Sequence, residues 1–162
     1  MRPGQILVAD HQGVYVIKMV GDVRLTLCIS FDQFIDDMFS AQNFRAVLFD
    51  LSKAEAIDST TLGLMAKISL LGYERVGTRP VIYSPNESIN RVLDTMGFAD
   101  IFTLCSTLEM PVQPQQALTP ADEDAEPAIK SMVIEAHKVL MGLNENNKQT
   151  FTNLVAMLEN EQ

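Results

Sequence analysis

One stretch of the chain, residues 46–63 with the sequence AVLFDLSKAEAIDSTTLG, constrains the fold more than any other. The apolar run Ala46–Phe49 is typical of a buried strand, and a helical pattern begins shortly afterwards at the polar cluster Asp58–Thr61. Asp, Ser and Thr are common helix N-caps. The free N–H groups and the positive dipole end of a helix N-terminus also accommodate an oxyanion. The cluster therefore has two interpretations, an ordinary cap or a phosphorylation switch at Ser59, of which capping is the more common.

The order of the predicted elements places this junction in an α/β fold. Short apolar runs bounded by turn-forming residues predict five strands: Gln5–Ala9, Val14–Val20, Ala46–Phe49, Pro80–Tyr83 and Ile101–Leu104. Helical periodicity and capping patterns predict three helices: Cys28–Ser40, Thr60–Val76 and one from the Ser84–Glu87 capping box to Gly97. The first two strands form a hairpin, and the later alternation implies parallel strands joined by crossover helices. We therefore expect a mixed five-stranded sheet.

The last third of the chain differs in composition from the rest. Residues 1–109 hold 13 acidic and 9 basic residues, a net −4, whereas residues 110–162 hold 8 and 3, a net −5. Residues 110–127 contain four prolines and four acids, which predicts an extended or disordered linker. Residues 128–162 contain two amphipathic helical patterns joined by a short turn, which predicts a helical hairpin. A hairpin of this size must dock on another surface to bury its apolar stripe.

The composition excludes several classes of function. The net charge is −9 and no basic cluster is present, which disfavours direct nucleic-acid binding because phosphate contacts require Lys and Arg. The two cysteines, Cys28 and Cys105, lack metal-binding spacing and fit a reducing compartment. No apolar core follows the N-terminal MRPGQ, and no apolar run reaches the roughly 18 residues that span a bilayer. We expect a cytoplasmic protein without membrane insertion.

The sequence lacks the common catalytic motifs. GxGxxG, GxxxxGK[ST], HExxH and GxSxG are absent, so we expect no enzyme, no catalytic residue and no cofactor. His11 lies in a predicted turn and His137 lies off the apolar stripe of the tail helix. Both are predicted to be surface residues without a metal, since a metal site requires several convergent ligands. A receiver domain phosphorylated on Asp50 is disfavoured because Asp10 is followed by a histidine rather than a second acid.

Five short motifs surround the strand–helix junction in a consistent order: Gly21–Leu25, Asp50–Ser52, Ile57–Ser59, Leu62-Gly63 and Met96–Phe98. Together they resemble the signature of the STAS domain of bacterial anti-anti-sigma factors, over about residues 5–108. The resemblance implies a STAS-like fold. It also implies that Ser59, the serine directly after the aspartate, is the phosphorylated residue.

The resemblance further implies a switch between protein partners. An anti-sigma factor with kinase activity, or one paired with a kinase, would phosphorylate Ser59, and a PP2C-type phosphatase would reverse this. The unphosphorylated form would sequester the anti-sigma factor and free a sigma factor. Thr60 and Thr61 are rival hydroxyls, and Thr61 stands where the family usually has Gly or Ala. The residues expected to bind the partner lie at the start of the helix: Asp58, Ser59, Thr60, Leu62, Met65 and Ala66.

The C-terminal extension is similar to that of HsbA-type regulators, which implies a role in motility or biofilm control. Two other hypotheses remain open. In the first hypothesis, the core is a STAS-type signalling module that binds a small molecule or nucleotide near the same helix start. The second is a structural or assembly role led by the tail hairpin.

Overall fold

The structure is a computed structural model, and it describes residues 2–107, 116–120 and 126–160. The described residues form one sheet and five α-helices. The strands are β1 (Gln5–His11), β2 (Val14–Val23), β3 (Ala46–Ile57), β4 (Val81–Tyr83), β5 (Thr103–Cys105) and β6 (Gln116–Ala117). The helices are α1 (Cys28–Ser40), α2 (Ser59–Val76), α3 (Glu87–Thr95), α4 (Glu126–Met141) and α5 (Glu145–Asn160). Within the described ranges, no helix is both long and apolar enough to cross a membrane.

The sheet has the strand order β5-β4-β3-β2-β1-β6. Strands β1 and β2 form the predicted antiparallel hairpin, whose turn residues Gln12 and Gly13 have φ of 55° and 92°. Strands β2, β3, β4 and β5 pair in parallel, with α1, α2 and α3 in the three connections between them. The predicted α/β class, mixed sheet and crossover helices are confirmed.

Strand β3 is much longer than its apolar run predicts. The apolar run predicts an end at Phe49, before the charged Asp50, but the strand continues to Ile57. The Asp50 carboxylate accepts hydrogen bonds from the backbone N and the Oγ of Ser52, at 2.9 and 2.6 Å, so a charge is satisfied within the strand. Strand β3 therefore ends one residue before Asp58, and the sheet leads directly into α2.

The sheet contains a sixth strand, which the sequence pattern does not predict. Strand β6 lies in the predicted linker and pairs antiparallel with the free edge of β1. The backbone N of Leu118 then donates to the carbonyl O of Ile6 at 2.8 Å. A two-residue strand has no periodicity of its own, so only the edge of β1 defines it. The rest of the predicted linker, residues 110–115 and 121–125, lies outside the described residues.

The start of α3 also differs from its prediction. The capping-box pattern predicts Ser84 as the cap, but Asn86 is the N-cap, and its Oδ1 accepts from the backbone N of Ser88 at 2.9 Å. Ser84 is buried, with 3% of its surface exposed, and its side chain makes no hydrogen bond. Gly97 follows the end of α3 with φ of 84°, the left-handed conformation that the sequence predicts there.

The predicted C-terminal hairpin exists and docks on the α/β core. Helix α4 lies against α2 and α1, and α5 lies against α4. The buried Asn147 fixes the hairpin near the turn between α4 and α5. Its Nδ2 donates to the carbonyl O of Met96 at 2.8 Å and to that of Leu140 at 3.0 Å. The hairpin buries these apolar side chains: Met132, Ala136, Leu140, Phe151 and Val155.

Candidate partner-binding site at the start of helix α2

Asp58 is the N-cap of α2, as the sequence predicts. Its backbone is extended, with φ −77° and ψ 166°, and its Oδ1 accepts from the backbone N of Thr61 at 2.8 Å. Its own backbone N donates to the carbonyl O of Val23 at 3.2 Å, which ties the cap to the end of β2. The carboxylate therefore sits at the positive end of the helix dipole, and Ser59 becomes the first helical residue.

The three hydroxyls after this cap differ in exposure. Ser59 is half-buried, whereas Thr60 is 5% exposed and Thr61 is fully buried. The Oγ1 of Thr61 lies 3.2 Å from the Sγ of Cys28, so this hydroxyl is engaged in the core. Ser59 is therefore the most accessible hydroxyl of the cluster.

His137 of α4 lies directly on Ser59. The prediction of a surface histidine is wrong, since only 2% of His137 is exposed. Its Nδ1 lies 2.7 Å from the carbonyl O of Val133, one turn earlier, so Nδ1 carries a proton and donates it. In the neutral ring, Nε2 then accepts a hydrogen bond from the Ser59 hydroxyl, at 2.7 Å. Phe151 of α5 packs edge-on against the imidazole, with ring centroids 4.9 Å apart.

Gly63 allows α4 to approach α2 closely. A Cβ at position 63 would lie 2.3 Å from the carbonyl O of Ala136 and 2.8 Å from its Cβ, which is closer than real side chains come. Because Ser59, Gly63 and Lys67 are four residues apart, they share one side of α2. Each of them contacts α4, and we call this side the α4-facing stripe.

The far end of this stripe is an ion cluster. The Nζ of Lys67 lies 3.1 Å from a carboxylate oxygen of Asp32 on α1 and 3.2 Å from one of Glu135 on α4. Partial burial alone would lower the pKa of Lys67, but the two carboxylates outweigh it and raise the pKa. Lys67 therefore stays charged at neutral pH and links three helices.

The predicted partner-binding residues lie in the first two turns of α2 and at its cap, and all of them are buried or half-buried. Leu62 is 2% exposed and Ala66 is fully buried; both flank the α4-facing stripe. Met65 is also fully buried, and it lies on the opposite side of the helix from Gly63, since two residues rotate an α-helix by about 200°. Asp58 and Ser59 are half-buried.

The chemistry available at this site is that of a single hydroxyl next to a carboxylate and an imidazole. Among the described residues, no group of three or more His, Cys, Asp or Glu side chains could hold a metal ion. The site can donate a hydrogen bond, accept a modification on Ser59 Oγ or bind another protein surface.

We expect the two cysteines to differ sharply in alkylation by iodoacetamide. Burial raises the pKa of Cys28 to about 12, with a smaller opposing effect from its hydrogen bond with Thr61, and none of its surface is exposed. Cys105 is partly exposed. Peptide mass spectrometry after labelling at pH 8 should find Cys105 modified, and Cys28 modified only after unfolding in guanidinium. Labelling of both at similar rates in the native protein would contradict the packing under α2.

The chain is similar in sequence to a known domain family and to known proteins. The STAS domain family model matches residues 5–110, well over half of the chain, so the chain belongs to the STAS domain family. The anti-sigma-F factor antagonist RsfB of Mycobacterium tuberculosis, in strains CDC 1551 and H37Rv, is 30% identical over 105 residues. That match covers 64% of this chain and 82% of RsfB.

A solved structure has the same fold. The crystal structure of an anti-sigma factor antagonist from Mycobacterium paratuberculosis superposes with a TM-score of 0.53 at 24% sequence identity. The superposition covers 79% of this chain and 95% of that one. The sheet described above has six strands rather than the predicted five, because of β6.

Proposed function

We propose that this protein is an anti-sigma factor antagonist that works by binding rather than by catalysis. In its unphosphorylated form it sequesters an anti-sigma factor through the start of α2 and so frees a sigma factor. Phosphorylation of Ser59 by the anti-sigma factor or an associated kinase ends this binding, and a PP2C-type phosphatase restores it. The similarity to RsfB supports the antagonist activity, and the resemblance to HsbA-type regulators supports a role in motility or biofilm control.

One observation supports Ser59 as the phosphorylated residue. Ser59 is half-buried, whereas the other two hydroxyl residues of the cluster, Thr60 and Thr61, are buried. Thr61 bonds with Cys28 beneath the helix and is the least suitable rival, and Thr60 is nearly as inaccessible. The free N–H groups at the start of α2 can also tolerate a phosphate, at a gain of roughly 0.3–1 kcal/mol from the helix dipole. Modification of Ser59 should therefore affect binding more than the stability of the α/β core.

The charge of a phosphate explains why binding would end. A phosphoryl group adds roughly −1.5 to −2 charges, next to the carboxylate of Asp58. An anti-sigma factor fitted to an uncharged hydroxyl would then have to bury an unpaired charge. Such a penalty is typically about 3–5 kcal/mol, and at about 3–4 kcal/mol it corresponds to a loss of affinity of about 10²- to 10³-fold.

The groove beside the start of α2 is smaller than a typical small-molecule site. It lies between the end of β3, α2 and α3, and its volume is about 180 Å³. Small-molecule sites usually measure about 300–1,000 Å³. The alternative of a ligand-binding module therefore has less support at this position.

Native mass spectrometry of protein purified from its own host tests the two functions against each other. We expect a fraction with about 80 Da of added mass, which a phosphoryl group supplies, and peptide mapping should place it on Ser59. The Ser59→Ala variant should lack this species. A retained small molecule in place of the phosphoryl group would support the ligand-binding module instead.

A further inference from the structure

We propose that helix α4 and the anti-sigma factor compete for the same side of α2, so that the C-terminal hairpin must lift before Ser59 can be bound or phosphorylated. This proposal rests on the proposed function of Ser59. We call the arrangement in which α4 lies on the α4-facing stripe the closed state. In this state the hairpin occupies the surface that the partner needs.

The Ser59 hydroxyl is already engaged in the closed state. The hydroxyl donates to Nε2 of His137 at 2.7 Å, and His137 is itself fixed by Val133 and Phe151. A kinase must bring a phosphoryl donor to Ser59 Oγ in the place where the imidazole lies. A phosphoryl group on Oγ cannot coexist with this hydrogen bond. Helix α4 must therefore move before or during phosphorylation.

Helices α2 and α4 lie too close together for a partner to enter between them. At Gly63 the backbone of α4 approaches so closely that even one additional carbon atom does not fit. No partner side chain can enter between the helices while they remain in contact. Ala136 is 1% exposed, which shows how completely the contact excludes solvent.

The polar contacts of the closed state contribute only part of its stability. In the ion pair of Lys67 with Glu135, the Glu135 side chain is 58% exposed, and such a pair contributes roughly 0–1 kcal/mol. Helix α4 also buries three apolar side chains: Met132, Ala136 and Leu140. Displacement of α4 therefore requires a partner that buries a comparable apolar surface on α2, and the apparent affinity of that partner falls by the fraction of open protein.

The test uses the full chain and a pair of matched variants. Ala136→Arg places a long charged side chain where Gly63 leaves no space, whereas Ala156→Arg makes the same change on an exposed position of α5. Hydrogen exchange of residues 126–160 reports whether the hairpin is docked, and isothermal titration reports the affinity for the anti-sigma factor of the same organism. We expect Ala136→Arg to speed exchange of the hairpin and to raise affinity by about tenfold or more. Ala156→Arg should match the wild type in both.

The outcomes separate this proposal from the proposed function. If Ala136→Arg opens the hairpin but binds no more tightly than the wild type, competition is wrong and the antagonist function stands. If exchange of the hairpin does not change, the close contact does not hold α4 and the proposal is also wrong. If neither protein binds the anti-sigma factor, the proposed function itself fails. Should Ala136→Arg not fold, His137→Ala removes the hydrogen bond to Ser59 without adding bulk and is measured in its place.

Discussion

Replacement of Ser59 with aspartate is expected to weaken binding of the anti-sigma factor by about 10²- to 10³-fold, the cost of an unpaired charge in a desolvated interface. The new carboxylate would lie next to Asp58, whose own carboxylate already caps the helix through Thr61. The two negative charges cannot both be neutralised by one helix end. The affinity should be measured by isothermal titration against the purified anti-sigma factor.

Two controls separate the charge from the loss of the hydroxyl. Ser59→Ala removes the hydrogen bond to His137 without adding charge, and it should bind at least as tightly as the wild type. Asn153→Asp adds the same charge to the exposed side of α5 and should leave affinity unchanged. Equal affinities for Ser59→Asp, Ser59→Ala and the wild type would refute a switch at Ser59.

Replacement of Gly63, the glycine of α2 that contacts α4, is expected to lower the stability of the protein. Gly63→Ala should destabilise the protein by about 1–3 kcal/mol, the usual cost of forcing extra atoms into a tight contact. The added methyl would lie 2.3 Å from the carbonyl O of Ala136. Chemical denaturation with urea, combined with hydrogen exchange of the hairpin, should detect both the loss of stability and the loosening of α4.

Gly72→Ala is the matched control, because Gly72 lies on the same helix and is also buried. A Cβ there would lie 3.5 Å from the nearest atom of Phe44, which is an ordinary contact. Helix propensity alone favours alanine over glycine by up to about 1 kcal/mol, so Gly72→Ala should be neutral or stabilising. If the two alanine variants proved equally stable, the close approach of α4 to α2 would be wrong.

The elements that local patterns define were predictable from the sequence. The Asp58 cap depends on residue types and spacing within one turn, and both follow from the sequence alone. Helix α1 was predicted with the same bounds as the structure gives. Strand β3 was predicted too short because a charged residue interrupts the apolar pattern, although Ser52 satisfies that charge locally.

The surroundings of Ser59 could not be predicted in the same way. His137 is 78 residues away from Ser59 in sequence and lies beside the apolar stripe of α4. Nothing in a local pattern indicates which helix will bury such a side chain. Met65 shows the same limit: its apolar character fits a partner surface and a core equally, and only the packing places it in the core.

The most direct measurement compares two forms of the same chain. Wild-type protein is phosphorylated to completion, the modified residue is mapped by mass spectrometry, and both forms are titrated with the anti-sigma factor. We predict modification of Ser59 alone and an affinity about 10²- to 10³-fold lower for the phosphorylated form. Modification of another residue, or equal affinity of the two forms, would contradict a phosphorylation switch at the start of α2.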